Sequence, residues 1–286
     1  MQNPTMRSAL FVPGNRPERF VKAFVSGADI VIVDFEDSVE EEQKAKARAN
    51  LVAFLDENTS ARVWVRVNMA GHAEHEADVE MCRHPGVDGI FLPKAESADQ
   101  VLRVTATGKH VIPIVESALG LDVLPSMARV QGVARLTYGR LDLGLDLGLT
   151  VTSFGAERMF DHVRYALLLQ TRLAGLAAPL ESVFSNIEDN DRLQHYARTA
   201  GNMGFAGMLC IHPKQVAVVH TALAPTEDEL TWARRILEAA DGRGAFKLDG
   251  EMIDAPVMAR AKQFLSLSAW TARPNVDGEA DASGPT

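Results

Sequence analysis

Short apolar runs alternate along the chain with stretches whose apolar residues recur at helical spacing. The runs are Ala9–Pro13, Asp29–Asp34, Val63–Asn68, Gly89–Lys94, Val111–Glu116, Arg135–Gly139, Ser182–Asn186 and Gly207–His212. Several are almost continuously apolar, as in Ile30-Val31-Ile32-Val33, the pattern of parallel strands covered on both faces. Between them, Pro17–Ser26 opens with Pro at a first helical turn. Glu40–Glu57 has acids early, Lys44, Lys46 and Arg48 later, and Leu51, Val52 and Leu55 at helical spacing. Ala156–Gly175 carries Met159, Val163, Leu167 and Leu168 on one face. Thr226 followed by Glu229 forms a capping box that starts a helix running to Ala240.

Strands alternating with helices predict a parallel sheet with crossover helices. Eight strands favour closure into an α/β (β/α)8 TIM barrel over an open sheet, and 286 residues suit one such barrel of roughly 250 residues plus an extension. The expected organisation is a barrel over 1–240 and a C-terminal loop and helix over 241–272, with Asp241–Asp254 a Gly-rich loop between two helices. A disordered tail over 273–286 completes it, because Arg273–Thr286 is rich in Pro, Gly, Asp and Ser and lacks apolar periodicity.

Composition narrows the function classes. Hydrophobic residues make up 47% of the chain, enough for a sizeable core. A net charge of -9 argues against nucleic acid as a partner, while leaving room for a local basic pocket. The two cysteines, Cys82 and Cys210, form no CxxC pair and no metal-ligand spacing, which reads as a reduced intracellular compartment. Met1–Ser8 is short and polar with no apolar segment behind it, and no run is long enough to span a membrane, so a soluble cytoplasmic protein is expected.

Active sites of such barrels form at the C-terminal ends of the strands. The polar residues that end the apolar runs are Asp34-Phe35-Glu36-Asp37, Arg66-Val67-Asn68, Pro93-Lys94, Glu116-Ser117, Tyr138 through Asp142, and His212-Pro213. Glu116 and Asp142 lie one βα unit apart, so their carboxylates can converge, and two oxygen ligands with open positions suit Mg2+. The alternative is that each carboxylate caps the helix after its strand or pairs with a nearby Arg. Arg66 offers a forked donor to a carboxylate or a developing oxyanion, or forms an ion pair with Glu36 or Asp37. Those two acids can instead orient metal-bound waters from a second layer. His212 beside Pro213 reads as a hydrogen-bonded structural residue, and His72, His75 and His84 as surface residues. Lys94 reads as a phosphate- or carboxylate-binding group ahead of a Schiff-base lysine. The glycines around Gly139 and Gly144 lack the GxGxxG pattern of a dinucleotide site.

At these residues the chain resembles the HpcH/HpaI aldolase/citrate lyase β-subunit superfamily. The matching stretches are 7–14, 34–39, Arg66-Val67-Asn68, Leu92-Pro93-Lys94, Pro113 through Ser117, Gly139 through Asp142, and Gly204 through Gly207 followed by Ile211 through Gln215, in family order. The resemblance implies a (β/α)8 barrel, Mg2+ held by Glu116 and Asp142, Arg66 at the substrate, and a homotrimer or hexamer. Gly244-Ala245-Phe246 and Asp249 through Pro256 are similar to the C-terminal segment of citramalyl-CoA and malyl-CoA lyases. That similarity implies that Asp254 acts as a general acid/base in a neighbouring subunit's site; Asp254 before Pro256 also suits a helix N-cap. The implied activity is cleavage of a small 3-hydroxy-acyl-CoA to a 2-oxo acid and acetyl-CoA or a homologue. The rivals are a Mg2+-dependent pyruvate aldolase, a citryl-ACP lyase subunit, and a non-catalytic acyl-CoA-binding module. Phe35 and Arg140 depart from common family choices and leave the acyl preference open.

Overall fold

The computed structural model describes residues 6–240 and 244–271; the tail expected at 273–286 lies outside the described residues. The chain divides into two compact units at Leu223/Ala224.

The first unit holds eight strands: β1 Ser8–Pro13, β2 Ile30–Asp34, β3 Val63–Arg66, β4 Val87–Leu92, β5 His110–Val115, β6 Thr137–Tyr138, β7 Leu180–Glu181 and β8 Gly207–Cys210. Their order is β6-β5-β4-β3-β2-β1-β8-β7, and every neighbouring pair is parallel. The two ends of that order meet, since Leu180 N–H donates to Leu136 O at 3.0 Å and Thr137 Oγ1 donates to Leu180 O at 2.9 Å. The eight strands therefore form a nearly closed TIM-barrel-like α/β fold. Its helices are α1 Phe20–Phe24, α2 Lys44–Glu57, α3 His75–Met81, α4 Ala98–Thr105, α5 Ala118–Asp122, α6 Leu124–Met127, α7 Arg140–Asp146, α8 Phe154–Leu173, α9 Asn190–Asn202 and α10 Pro213–Leu223.

Strand periodicity sorts the apolar residues into two layers. Ala9, Ile32, Trp64, Phe91, Ile112, Ile114, Leu180 and Leu209 meet in the barrel interior. The alternate residues Leu10, Val12, Val31, Val33, Val63, Val65 and Ile90 pack outward with helix residues such as Leu51 and Leu55. Both layers are apolar, which is why Ile30-Val31-Ile32-Val33 shows no polar alternation.

Two boundaries differ from the sequence reading. The seventh strand is Leu180–Glu181, just before the Ser182–Asn186 stretch expected to form it. Glu181 is fully buried and accepts from Tyr138 Oη at 2.5 Å, Tyr196 Oη at 2.9 Å and Arg164 Nε at 2.8 Å. A charged residue satisfied by three distant partners carries no local strand signal.

The second unit comprises α11 Glu227–Ala240, β9 Phe246–Leu248, β10 Glu251–Ile253 and α12 Ala255–Thr271. The division thus falls before α11, not after residue 240, because Ala233 and Ile236 form a small core with Ile253 and Ala261. The stretch expected as a plain loop contains the antiparallel β9–β10 hairpin, turned by Asp249 and Gly250 at positive φ. The capping box forms: Thr226 N–H donates to Glu229 Oε2 at 2.8 Å, and Glu229 N–H to Thr226 Oγ1 at 3.2 Å. Among the described residues, no helix is long and apolar enough to cross a membrane.

The interior leaves no slack at Gly89, where the Trp64 indole fills the place of a side chain. Gly89→Ala is expected to destabilise the protein by about 1–3 kcal/mol through overpacking, read from denaturant unfolding against the parent protein.

Candidate active site

The C-terminal strand ends of β2 and β3 lie side by side, with Asp34 and Arg66 as register partners. Their side chains pair bidentately: Arg66 Nε donates to Asp34 Oδ1 and Nη2 to Asp34 Oδ2, each at 2.7 Å. Asp34 is itself held by Glu36 N–H at 3.0 Å, Ser38 N–H at 3.1 Å and Ser38 Oγ at 2.5 Å. Burial works against its charge, but Arg66 and these donors prevail and hold the carboxyl below its usual range. Arg66 Nη1 reaches Asp37 Oδ2 at 3.0 Å, and the guanidinium lies 4.9 Å from the centroid of Phe11. Burial also opposes the charge of Arg66, yet Asp34, Glu36 and Asp37 raise its pKa above the ordinary value.

Glu36 is buried. Its Oε2 lies 3.0 Å from Arg66 Nη1 but makes no aligned hydrogen bond. Its Oε1 is 3.5 Å from Lys94 Nζ. Burial first, then the neighbouring Asp37 and Asp34, push the Glu36 carboxyl up to about 7 against the pull of Arg66 and Lys94.

Glu116 follows β5 directly and is 6% exposed. Lys94 N–H donates to its Oε2 at 2.8 Å. Lys94 adopts φ +46, a left-handed conformation costing a non-glycine residue roughly 1–3 kcal/mol, held here where its N–H meets this carboxylate. The other oxygen, Oε1, lies over Gly139, where even a methyl group would collide with it. Burial, Glu36 and Asp142 raise the Glu116 carboxyl to about 8, with Lys94 N–H and Arg66 opposing. Asp142 stands in the first turn of α7, half-buried, and makes no side-chain hydrogen bond or ion pair among the described residues.

Arg66, Glu116, Asp142 and Asp37 line one cavity of about 270 Å³ at the barrel mouth; Phe11, Ile114, Val183, Leu209 and Ile211 supply its apolar wall. Glu36 lines a neighbouring depression with Lys94. Neither Glu116 nor Asp142 is a helix cap. Ser117 caps α5 through Gly120 N–H at 3.1 Å, and Gly139 precedes α7. Among the described residues, no group of three or more His, Cys, Asp or Glu forms a metal cluster. Glu116 Oε1 and the Asp142 carboxylate have no protein donor among the described residues, and such oxygens suit a hard cation that keeps waters or substrate in its remaining positions. The donor set therefore fits Mg2+.

Several residues stand elsewhere than the sequence suggested. Asp34 is the principal partner of Arg66; the sequence reading weighed only Glu36 and Asp37, though an acid and an arginine ending adjacent buried strands was a usable signal. His75 is buried, not on the surface, and its Nδ1 lies 2.7 Å from Asn68 O. Lys44 is buried behind the site, donating to Phe35 O, Glu36 O and Asn68 Oδ1 at 3.1, 3.1 and 2.7 Å. Lys94 has its pKa raised: burial opposes the charge, but Glu36 and Asp37 outweigh it. A Schiff-base lysine needs the opposite shift. His212 Nδ1 accepts from Lys214 N–H at 3.1 Å, as a structural residue. In the second unit, Asp254 caps α12 through Val257 N–H at 3.3 Å.

The sequence profile described as HpcH/HpaI aldolase/citrate lyase matches residues 7–213. The chain belongs to that family. A citrate lyase subunit beta-like protein of Mycobacterium tuberculosis is 40% identical over 261 residues, 90% of this chain and 93% of the relative. The mitochondrial citramalyl-CoA lyase of Rattus norvegicus is 28% identical over 293 residues, 92% of this chain and 86% of the relative. The crystal structure of protein CitE from Mycobacterium tuberculosis, in complex with magnesium, acetoacetate and coenzyme A, superposes with a TM-score of 0.83 at 36% identity, covering 93% of this chain and 98% of that one. The protein is a carbon–carbon lyase of this family.

The raised carboxyls make the stability of the metal-free protein depend on pH. Glu36 and Glu116 hold their protons to about 7 and about 8 when folded, against an ordinary 4.5. The folded state thus binds more protons than the unfolded chain in this window, and stability falls as pH rises from about 4.5 to about 8. Melting curves without divalent cations should show this decline, and Glu116→Gln should flatten its upper part.

Proposed function

We propose that the protein cleaves a small 3-hydroxy-acyl-CoA of the malyl-, methylmalyl- or citramalyl-CoA type into a 2-oxo acid and acetyl-CoA or a homologue. The observation that carries this reading is the convergence of Glu116, Asp142 and Arg66 on one cavity with an apolar wall. In the reaction, the substrate hydroxyl loses its proton as the bond between the α- and β-carbons breaks. The bonding pair passes into the thioester enolate, which takes a proton at carbon.

Glu116 and Asp142 would hold Mg2+, which supplies Lewis-acid polarisation of the hydroxyl and adjacent carboxylate of the substrate. The magnesium in the crystal structures of the CitE relative supports that assignment. Arg66 offsets the charge that grows on the thioester oxygen, and its bidentate grip on Asp34 fixes the guanidinium before substrate arrives. Glu36 and Asp37 hold the other edge of Arg66 and stand ready to orient waters beside the metal carboxylates. Asp254 is proposed as the acid/base that protonates the enolate carbon in a neighbouring subunit's site, on the likeness of its segment to that of citramalyl-CoA lyases. Its capping bond to Val257 uses Oδ1 and leaves Oδ2 free for that role.

We place the protein in the cytoplasm as a homotrimer or hexamer. Two free, buried cysteines support a reducing compartment. An exposed apolar stripe of Tyr165, Leu169 and Leu173 along α8 supports self-association.

An assay of malyl-, methylmalyl- and citramalyl-CoA stereoisomers against the free hydroxy acids and a citryl-ACP substrate tests the reading. Turnover is expected with an acyl-CoA, and turnover confined to free acids would replace this reading with the aldolase. Arg66→Lys should lower kcat/KM by about 10²–10³-fold. Asp254→Asn should lower kcat without weakening Mg2+ binding; full turnover in that variant removes Asp254 from the mechanism. Activity that survives exhaustive chelation removes the metal.

A further inference from the structure

The two carboxylates assigned to the metal stand on separate segments: β5 and β6 pair only as far as Val115 and Tyr138, with Gly139 N–H donating to Val115 O at 3.0 Å, and Asp142 lies a further three residues on, within α7. Glu116 follows β5 and leads through Ser117 into α5; Asp142 stands on α7, a helix of only seven residues after β6. Beyond the strand pairing, two further contacts join these segments. At the first, the Glu116 side chain lies directly against Gly139, the residue before α7. At the second, Asp146 Oδ2 accepts from Ala118 N–H at 2.7 Å. Ala118 is the first residue of α5, and its N–H is one of the donors that a helix start leaves without an internal acceptor. The neighbouring donor, Gly120 N–H, already uses Ser117 Oγ. A carboxylate meeting such a donor is further favoured by the helix dipole.

Asp146 lies four residues after Asp142, so the two acids share one face of α7. Ala118 lies two residues after Glu116. The bond from Asp146 to Ala118 therefore joins the metal-bearing face of α7 to the backbone that carries the other metal carboxylate. It is exposed, and Asp146 makes no other side-chain hydrogen bond or ion pair among the described residues.

We propose that Asp146 is a positioning residue for the metal site: it braces α7 against the start of α5 and so sets the separation of Glu116 and Asp142. This rests on the two-carboxylate metal reading above. A ligand pair so braced is already spaced for the ion, whereas an unbraced α7 must be ordered at the moment of binding. That ordering cost appears in affinity for the ion and not in the chemical step.

The test is a Mn2+ titration followed by electron paramagnetic resonance, Mn2+ standing in for Mg2+, on the full chain without substrate. Asp146→Ala is expected to weaken Mn2+ binding about tenfold, the range found when partners of metal ligands are removed. Asp146→Asn keeps an acceptor oxygen and should stay within about threefold of the parent. Thermal melts of both metal-free variants should match the parent, and the kcat of Asp146→Ala should recover at saturating Mg2+. Parent-like Mn2+ affinity in Asp146→Ala, with Glu116→Gln unable to bind, overturns the brace and leaves the metal reading standing. Equal losses in Asn and Ala variants also overturn it, because the negative charge and not the acceptor would then matter. A parent protein that takes up no Mn2+ overturns the metal reading and the brace together.

Discussion

Desolvated negative charge at the barrel mouth is the constraint from which the site's properties follow. Asp34, Glu36 and Glu116 are buried there, with Asp37 and Asp142 beside them, while Arg66 and Lys94 are the cations that face them. Arg66 can fully satisfy only one carboxylate bidentately, and it is committed to Asp34. Asp34 is consequently driven to its charged form, whereas Glu36 and Glu116 are left to carry protons toward neutral pH. A buried carboxylate that no protein cation neutralises is costly unless it is protonated or meets an ion. The same imbalance would favour the divalent cation that Glu116 and Asp142 are proposed to hold.

The scaffold holds this arrangement by backbone means as much as by side chains. The left-handed Lys94 aims its N–H at Glu116, Gly139 gives that carboxylate room, and buried Lys44 ties Phe35 O and Glu36 O to Asn68. Asn68 in turn donates to Asp78, which pairs with Arg48 on α2. The acidic turn after β2 is thus anchored to the helical layer. Strain and buried polar groups gather at the strand ends that carry the chemistry, while the interior below is closely packed by apolar residues such as Trp64 and Phe91.

Much of the fold was legible because its cause is periodic. Parallel strands buried on both faces read as Ile-Val runs, and seven of the eight were placed from sequence with ends within two or three residues of those observed. The two-residue strand β7 was harder. Leu180–Glu181 holds its place through Tyr138, Tyr196 and Arg164, all distant along the chain, so no local pattern marks it. The hairpin of β9 and β10 was missed for a similar reason: its stability comes from packing Ile253 on α11 and α12, and its sequence offers mainly turn residues.

By itself, the sequence determined which residues end the barrel strands, β7 excepted. It thereby determined the chemical inventory of the mouth, since burial of an apolar strand on both faces puts its first polar residue at the rim. Only the tertiary structure decided how that inventory is paired. Register set Asp34 beside Arg66, the φ of Lys94 gave Glu116 its donor, and Asp146 found Ala118 across two loops. Charge pairing in a buried site depends on distance and desolvation, and neither is a property of any one stretch of chain.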